Sequence, residues 1–344
     1  MLPLNAWRFA KRKFPGESPR WHLAIYNQAA FVPSIRHEPI MPESDPSKSP
    51  LNRRGFVIGS AAGISAGVAG ANAQGPDQFP ETDDSDRQPV TAADGRLDQG
   101  VCMWCFESKM SLEQMCIEAQ KLGLVGIDLM KPSDFPMLKK YGLVCTIVQS
   151  HSLEDGLCDP KYHATAIEET AAAIEAAGAN GYKNVICFSG NARGIDRQTG
   201  MKNCVDALAE LTPIAEEKGV TLQMELLNSK VNHPDYMCDN SVWGVELVKR
   251  VGSNHFKLLY DIYHMQIMEG DVIRTIQANH EYYGHYHTAG NPGRHEIDTT
   301  QELYYPAIAK AIAETGFDGY LSHEFIPAGD PIAGLTEAVG LCNV

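Results

Sequence analysis

From Gln99 onward the sequence alternates short apolar runs with longer stretches of helical periodicity. Such alternation is typical of a parallel β-sheet covered by helices, because each helix returns the chain to the start of the next strand. Eight repeats within residues 99–344 match the size of a closed (β/α)8 barrel, roughly 250 residues. The sequence therefore predicts a (β/α)8 (TIM) barrel, α/β in class, with strands at 101–106, 125–129, 143–148, 184–188, 221–225, 256–261, 283–288 and 320–325.

Several of the intervening segments carry signals for helix ends. Ser111 precedes Glu113 and Gln114, so its side chain can cap a helix whose first turn holds acidic and amide groups. Gly219 and Gly316 follow helical patterns and are the usual left-handed stops. An open doubly wound sheet is the structural alternative, but no GxGxxG sequence follows the first strand. Helices are predicted at 111–122, 162–179, 202–218, 240–251, 272–279 and 304–315.

Residues 1–73 differ from the barrel and have the layout of an N-terminal export leader. Arg53 and Arg54 precede a mild apolar run at 57–70, which ends in the small-x-small pattern Ala71-Asn72-Ala73. This order is typical of a twin-arginine signal peptide, and the apolar run is shorter than the about 20 residues that span a bilayer. We expect export to a bacterial periplasm without stable membrane insertion, or a cytoplasmic protein if the signal is not used.

Two further boundaries follow from composition. Met41 begins a stretch of ordinary leader length, which suggests that translation starts at Met41 rather than Met1. Residues 74–98 are rich in Asp, Pro, Gln and Thr, which predicts a disordered linker before the catalytic domain at 99–344.

Charge and cysteine content exclude some functions. The formal net charge is −14, and an acidic surface repels phosphate backbones, so no nucleic-acid partner is expected. The nine cysteines all follow the leader at irregular spacing, which does not describe a disulfide framework. The pair Cys102 and Cys105 forms a lone CxxC in apolar surroundings, and we interpret it as part of the first barrel strand.

Four potential metal ligands stand at the ends of four consecutive predicted strands: Glu225, Asp261, His287 and Glu324. The carboxyl ends of barrel strands converge on one face, where catalytic groups of such barrels lie. Three carboxylates at one point would repel one another without a cation. The oxygen-rich set favours a single Mn²⁺, Mg²⁺ or Co²⁺ over a structural zinc.

Two further residues suit a small substrate. His264 follows Asp261 by three residues and can donate a hydrogen bond to a substrate oxygen. Arg294 follows a Pro-Gly turn after the seventh strand and can hold a substrate carboxylate through parallel hydrogen bonds, with Arg193 as a possible helper. The remaining histidines are interpreted as structural or solvated, with His285 and His323 the nearest in sequence to the predicted ligands.

The segments ELLNSKVNHPDY, YDIYHMQIMEGD, HYHTAGNPGRHE and SHEF resemble the hydroxypyruvate isomerase family, within the xylose isomerase-like group of sugar isomerase and epimerase barrels. The resemblance runs from about Gln99 to the C-terminus. It implies a metal-dependent conversion of hydroxypyruvate to tartronate semialdehyde through an enediolate, and barrels that often pair as homo-oligomers. It also implies two catalytic glutamates that bind the metal (Glu225 and Glu324), two further metal ligands (Asp261 and His287), and substrate contacts from His264, Arg294 and Glu107.

Two positions depart from that pattern and keep alternatives open. His287 resembles the ketose 3-epimerases, since bacterial hydroxypyruvate isomerases usually have glutamine there. The additional substrate-binding glutamate of the 3-epimerases is replaced by Val231. A ketose 3-epimerase or other sugar isomerase is therefore the first alternative, and an exported sugar-binding barrel without catalysis is the second. An endonuclease would need more histidine ligands and a basic groove.

Overall fold

Eight parallel strands form the sheet of this protein, as seen in a computed structural model that describes residues 91–92 and 95–344. Their order is β3-β2-β1-β8-β7-β6-β5-β4, so every neighbour in the sheet is also a neighbour in sequence or joins the first strand to the last. The strands are β1 (Asp98–Cys102), β2 (Gly126–Asp128), β3 (Val144–Cys145), β4 (Asn184–Cys187), β5 (Thr221–Glu225), β6 (Phe256–Asp261), β7 (Tyr283–Thr288) and β8 (Tyr320–His323).

The two ends of this strand order meet through Val148, three residues beyond β3. Val148 forms parallel bridges with Met130 on one side and Val185 on the other. Its N–H donates to the Asn184 carbonyl and its carbonyl accepts from the Ile186 N–H, so backbone hydrogen bonds cross the seam. The predicted (β/α)8 barrel is therefore confirmed, with β3 as its shortest strand.

Helices cover the outside of the sheet, and their ends follow the predicted signals. Ser111 forms a capping box with Gln114, and Gly219 ends its helix with a φ of 64°. The helices are α1 (Leu112–Lys121), α2 (Phe135–Lys140), α3 (His163–Asn180), α4 (Arg197–Lys218), α5 (Ser241–Val251), α6 (Ile262–Met268), α7 (Val272–Asn279), α8 (Tyr305–Glu314) and α9 (Pro331–Cys342). Three of them were not predicted: α2, α6 and α9.

The first strand lies earlier than predicted. Strand β1 begins at Asp98 and ends at Cys102, and the next three residues form a 3-10 helix, Met103–Cys105. The prediction was wrong here because the apolar run continues past the strand into that helix, whose residues Met103 and Cys105 are also buried. Only Cys102 of the CxxC therefore lies in a strand. Leu97 is buried as well, so contacts with the barrel begin just before Gln99.

The strands are buried on both faces because helices cover them outside and side chains fill the barrel inside, where polar residues such as Asp128, His285 and Ser322 accompany the apolar ones. All nine cysteines are buried thiols without a disulfide, as expected. No helix among the described residues is long and apolar enough to cross a bilayer. The predicted leader at 1–73 lies outside the described residues.

Candidate metal centre and active site

The four predicted ligands meet at the carboxyl end of the barrel. Glu225 and Asp261 are the last residues of β5 and β6, His287 is in β7, and Glu324 follows β8 directly. One potential ligand atom from each lies within 4.8 Å of the other three, and all four side chains are buried. Their meeting follows from strand register, since parallel strands bring their carboxyl ends to the same level.

The imidazole of His287 is the centre of this group. Its Nδ1 lies 2.9 Å from Glu324 Oε2, 3.3 Å from Glu225 Oε1 and 4.0 Å from Asp261 Oδ2. Despite these short distances, neither Nδ1 nor Glu225 Oε1 makes a hydrogen bond. Buried polar atoms are almost always paired in folded proteins. Unpaired nitrogen and oxygen atoms that converge on one point fit a binding site for a metal cation.

The electrostatics of the carboxylates agree with that fit. Burial, together with the charge of Glu324, raises the pKa of Asp261 to about 8, and burial also raises the pKa of Glu225. Burial alone would raise the pKa of Glu324 too, but Arg294 and His287 hold it well below its usual range. A divalent cation would stabilise the ionised form of all three carboxylates. Three carboxylate groups and one imidazole nitrogen form a ligand set that fits a divalent metal ion.

Asp261 is placed by the local fold around α6. One carboxylate oxygen, Oδ1, accepts from the His264 N–H at the start of α6 at 3.0 Å, as a helix cap. The other oxygen, Oδ2, is left to face the site. The same cap brings the ring of His264 close, with Nε2 at 3.6 Å from Asp261 Oδ2.

His264 is oriented as a hydrogen-bond donor toward the site. The Asn228 backbone N–H donates to His264 Nδ1 at 3.1 Å, so the hydrogen of the neutral ring is on Nε2. Burial lowers the pKa of His264 well below its usual value, which keeps the ring neutral. Its Nε2 has no hydrogen-bond partner within the protein, and the same is true of His233 Nε2, whose ring lies 5.2 Å from that of His264.

Arg294 reaches the site from the loop after β7, as predicted. Its Nη2 donates to Glu324 Oε2 at 2.6 Å and lies 3.7 Å from Asp261 Oδ2. The guanidinium is held between the rings of Trp104 and Tyr263, at 5.1 and 5.5 Å from their centroids. Its Nε makes no hydrogen bond, so this edge of the guanidinium can bind a substrate oxygen.

Two residues named from the sequence do not join this group. Glu107 is exposed in the turn after the 3-10 helix. Arg193 pairs with Asp155 at 2.7 Å and stacks on Tyr162. No hydrogen bond or ion pair joins either residue to the four ligands, because loop residues have no strand register to fix where they point, and their contacts with a substrate stay predictions.

The structure adds residues that the sequence did not single out. Trp104 donates to Glu324 Oε1 at 2.8 Å, so both oxygens of this glutamate are engaged. Asp128, the last residue of β2, contacts His285 Nε2 at 2.7 Å and His287 Nε2 at 2.9 Å. Asp128 ends its strand as Asp261 does, so the same strand-end signal was present in the sequence.

These observations define a xylose isomerase-like barrel, and comparison with known proteins agrees. The family model described as xylose isomerase-like TIM barrel matches residues 136–341, and the chain belongs to that family. The solved structure of an AP endonuclease, family 2, from Brucella melitensis has a TM-score of 0.63 and 24% identity, covering 70% of this chain and 96% of that one. This likeness concerns the fold alone.

Curated relatives give more specific names. The chain is 32% identical over 164 residues to the 2-oxo-tetronate isomerase of Cupriavidus necator, covering 47% of this chain and 62% of the relative. It is 27% identical over 231 residues to the hydroxypyruvate isomerase of Escherichia coli, covering 63% and 89%. The match to the first relative thus spans less than two thirds of that protein's length.

Proposed function

We propose that this chain is a metal-dependent isomerase that converts hydroxypyruvate to tartronate semialdehyde through an enediolate. The observation that carries the proposal is the meeting of Glu225, Asp261, His287 and Glu324, with Glu225 Oε1 and His287 Nδ1 buried and unpaired. The names of the relatives from Cupriavidus necator and Escherichia coli support an isomerase of small hydroxy-carbonyl acids.

The four residues would hold one divalent cation, which when bound supplies a Lewis acid for the substrate's carbonyl and hydroxyl oxygens. Glu225 would bind the cation through the unpaired Oε1 and take the proton from the carbon beside the carbonyl with its other carboxylate oxygen. Glu324, held by Trp104 and Arg294, takes the proton of the substrate hydroxyl and returns it to the neighbouring carbon, while Glu225 passes its own proton to the former carbonyl oxygen.

The substrate carboxylate would bind between two unpaired donors. Nη2 of Arg294 donates to Glu324, while its Nε has no hydrogen-bond partner. His264 Nε2 is also unpaired and directs its hydrogen to the same space. A charge-assisted hydrogen bond from the guanidinium suits an acid better than a neutral sugar. This favours a short 2-oxo acid over a ketose as the substrate.

A ketose 3-epimerase is the second candidate, and the histidine at position 287 favours it, since it resembles the ligand of those enzymes. The same two glutamates would then remove and return a proton at a single carbon. A non-catalytic sugar-binding barrel remains an outcome of the test.

The test uses the full chain, stripped of metal and reloaded with Mn²⁺, Mg²⁺ or Co²⁺. Hydroxypyruvate, a four-carbon 2-oxo-tetronate and a panel of ketoses are incubated in deuterated water, and exchange is followed by NMR. Isomerisation of hydroxypyruvate supports the proposal. Exchange with ketoses alone supports the epimerase, and no exchange with any substrate supports the binding barrel.

Glu225→Gln and Glu324→Gln should each lower kcat at least about 100-fold, because the amide cannot exchange a proton with the substrate. Glu246→Gln is the matched control, since Glu246 is an exposed partner of Arg250 on α5 and should leave kcat unchanged. Full activity in both site variants would contradict the assigned roles.

A further inference from the structure

Asp128 lies inside the barrel beneath the four proposed ligands and is fully buried. Its Oδ2 accepts from His285 Nε2 at 2.7 Å and from His287 Nε2 at 2.9 Å. Its Oδ1 accepts from Ser322 Oγ at 2.6 Å and from the Thr146 hydroxyl. The Asp128 carboxylate therefore accepts four hydrogen bonds: two from β7, one from β8 and one from the residue that follows β3. Both of its oxygens are paired.

The backbone leaves room for this arrangement at Gly100. This residue pairs in register with Ser322 of β8 and with Gly126 of β2. A Cβ atom at position 100 would lie 2.6 Å from Ser322 Oγ and 3.3 Å from Asp128 Oδ1. Because any larger residue would intrude on the hydrogen bond between Ser322 and Asp128, the glycine preserves the space that the carboxylate occupies.

The contact with Asp128 fixes which nitrogen of His287 carries the hydrogen. An ionised carboxylate only accepts hydrogen bonds, so His287 Nε2 must donate. A histidine that binds a metal ion must be neutral, and the lone pair of His287 is then on Nδ1, the atom that faces Glu225, Asp261 and Glu324. A hydrogen bond from the far side of a ligating histidine sets both its tautomer and its ring orientation.

We propose that Asp128 is the positioning residue for His287, holding Nδ1 ready to bind a divalent cation together with Glu225, Asp261 and Glu324. The inference rests on the metal site of the proposed function. It adds a residue from β2, on the side of the barrel opposite to the ligand-bearing strands, that touches neither the cation nor the substrate.

A second metal ion is the competing explanation, since Asp128, His285 and His287 could also act as ligands. The hydrogen-bond explanation is favoured because the two imidazole contacts have ordinary hydrogen-bond lengths. The hydroxyls of Ser322 and Thr146 satisfy the remaining oxygen. The stoichiometry of metal binding separates the two explanations.

The experiment is a titration of the metal-free full chain with Mn²⁺, in which free Mn²⁺ is measured by EPR. Asp128→Ala removes the acceptor, so the His287 ring loses its orientation, and we expect Mn²⁺ affinity to fall about 10- to 100-fold. Asp128→Asn should rescue part of that loss. Its amide oxygen can turn toward the two imidazoles, while its NH2 group donates to the hydroxyls of Ser322 and Thr146.

Ser322→Ala is the matched control, because it removes a buried hydrogen bond to the same carboxylate but leaves the contact with His287 intact. Its Mn²⁺ affinity should stay within about twofold of the wild type, since Oδ2 still fixes the ring. Circular dichroism and thermal unfolding report whether each variant is folded. A residue with a purely structural role would lower the unfolding temperature without changing the affinity of the folded protein.

Wild-type affinity in folded Asp128→Ala would overturn the proposal, and if that variant does not fold, wild-type affinity in Asp128→Asn would do so. Two Mn²⁺ per wild-type chain, falling to one in the variant, would overturn it by making Asp128 a ligand. The titration needs no substrate. If the isomerase assay fails, the titration still reports whether Asp128 positions His287. The failure of the proposed function can therefore be told apart from the failure of this inference.

Discussion

Arg294 distinguishes this site from a simple cluster of acidic residues. It neutralises part of the charge of Glu324, packs between Trp104 and Tyr263, and keeps Nε unpaired beside the proposed substrate position. Its φ of 60° places it in the left-handed region, which a non-glycine residue adopts only when its surroundings stabilise that conformation. The loop is therefore built to present this guanidinium.

Arg294→Lys keeps the charge but loses the planar group and its several donors. We expect KM for hydroxypyruvate to rise about 10- to 100-fold, because a hydrogen bond to a charged group contributes about 1.5–3 kcal/mol. Steady-state kinetics measures the change. Arg274→Lys, at an exposed position in α7, serves as the control. An unchanged KM in Arg294→Lys would contradict a role in substrate binding.

Of all pairs of neighbouring strands, β3 and β4 share the fewest backbone hydrogen bonds, since Val148 alone bridges them. Side chains reinforce this seam. Asn184 Nδ2 donates to the Thr146 carbonyl at 3.0 Å, and the Phe188 N–H donates to His151 Nε2 at 3.1 Å. Because His151 accepts through Nε2, its ring must be neutral for this contact to persist.

Burial lowers the pKa of His151 to about 4, from an ordinary value of 6.5. The folded chain therefore resists protonation that the unfolded chain accepts. The contribution to stability is complete above pH 6.5 and is lost as the pH falls from 6.5 toward 4, by about 1.4 kcal/mol per pH unit.

His151→Gln keeps an acceptor for Phe188 but does not titrate. Between pH 7.5 and pH 5, we expect the wild type to lose about 2 kcal/mol more unfolding free energy than this variant, from the same 1.4 kcal/mol per unit. Urea unfolding at the two pH values gives both numbers. Equal losses in the two proteins would show that His151 does not titrate as the structure implies.

The strands also show how much of the fold and of the site could be predicted from the sequence. Strands β5, β6 and β7 were predicted to the residue because each ends in a polar group after a β-rich run, and three of the four proposed ligands, Glu225, Asp261 and His287, followed from that register. Strand β1 was misplaced because burial alone does not separate a strand from a short helix. The contact between Asp128 and His285 joins residues 157 positions apart, so only the closed barrel reveals it.

At the scale of the whole molecule, the barrel is preceded by residues 1–73, which the sequence predicts to be an export leader. The barrel belongs to the xylose isomerase-like family, while residues 1–73 are known only as sequence. We propose that Arg53 and Arg54 direct the folded chain through the twin-arginine route to the periplasm. A metal ion could then be loaded in the cytoplasm before export.

Replacing Arg53 and Arg54 together by Lys should keep the protein in the cytoplasm, because the twin-arginine route depends on that pair. Cell fractionation and immunoblotting measure its location, with Lys48→Arg as the control. Periplasmic protein in the double variant would contradict the proposal. Peptide mapping of the unprocessed precursor tests the start codon, since any peptide from residues 21–36 excludes initiation at Met41.

The buried thiols bear on whether the barrel folds before or after the proposed export. Burial raises the pKa of Cys116 to about 11 and that of Cys158 and Cys342 to about 12, and all nine thiols are buried. Because the thiolate is the form that oxidants attack, the folded barrel is protected from oxidation at neutral pH, whereas an unfolded chain offers nine reactive sulfurs. A chain that folded only after reaching an oxidising compartment would risk cross-linking itself. Completing the barrel first removes that hazard.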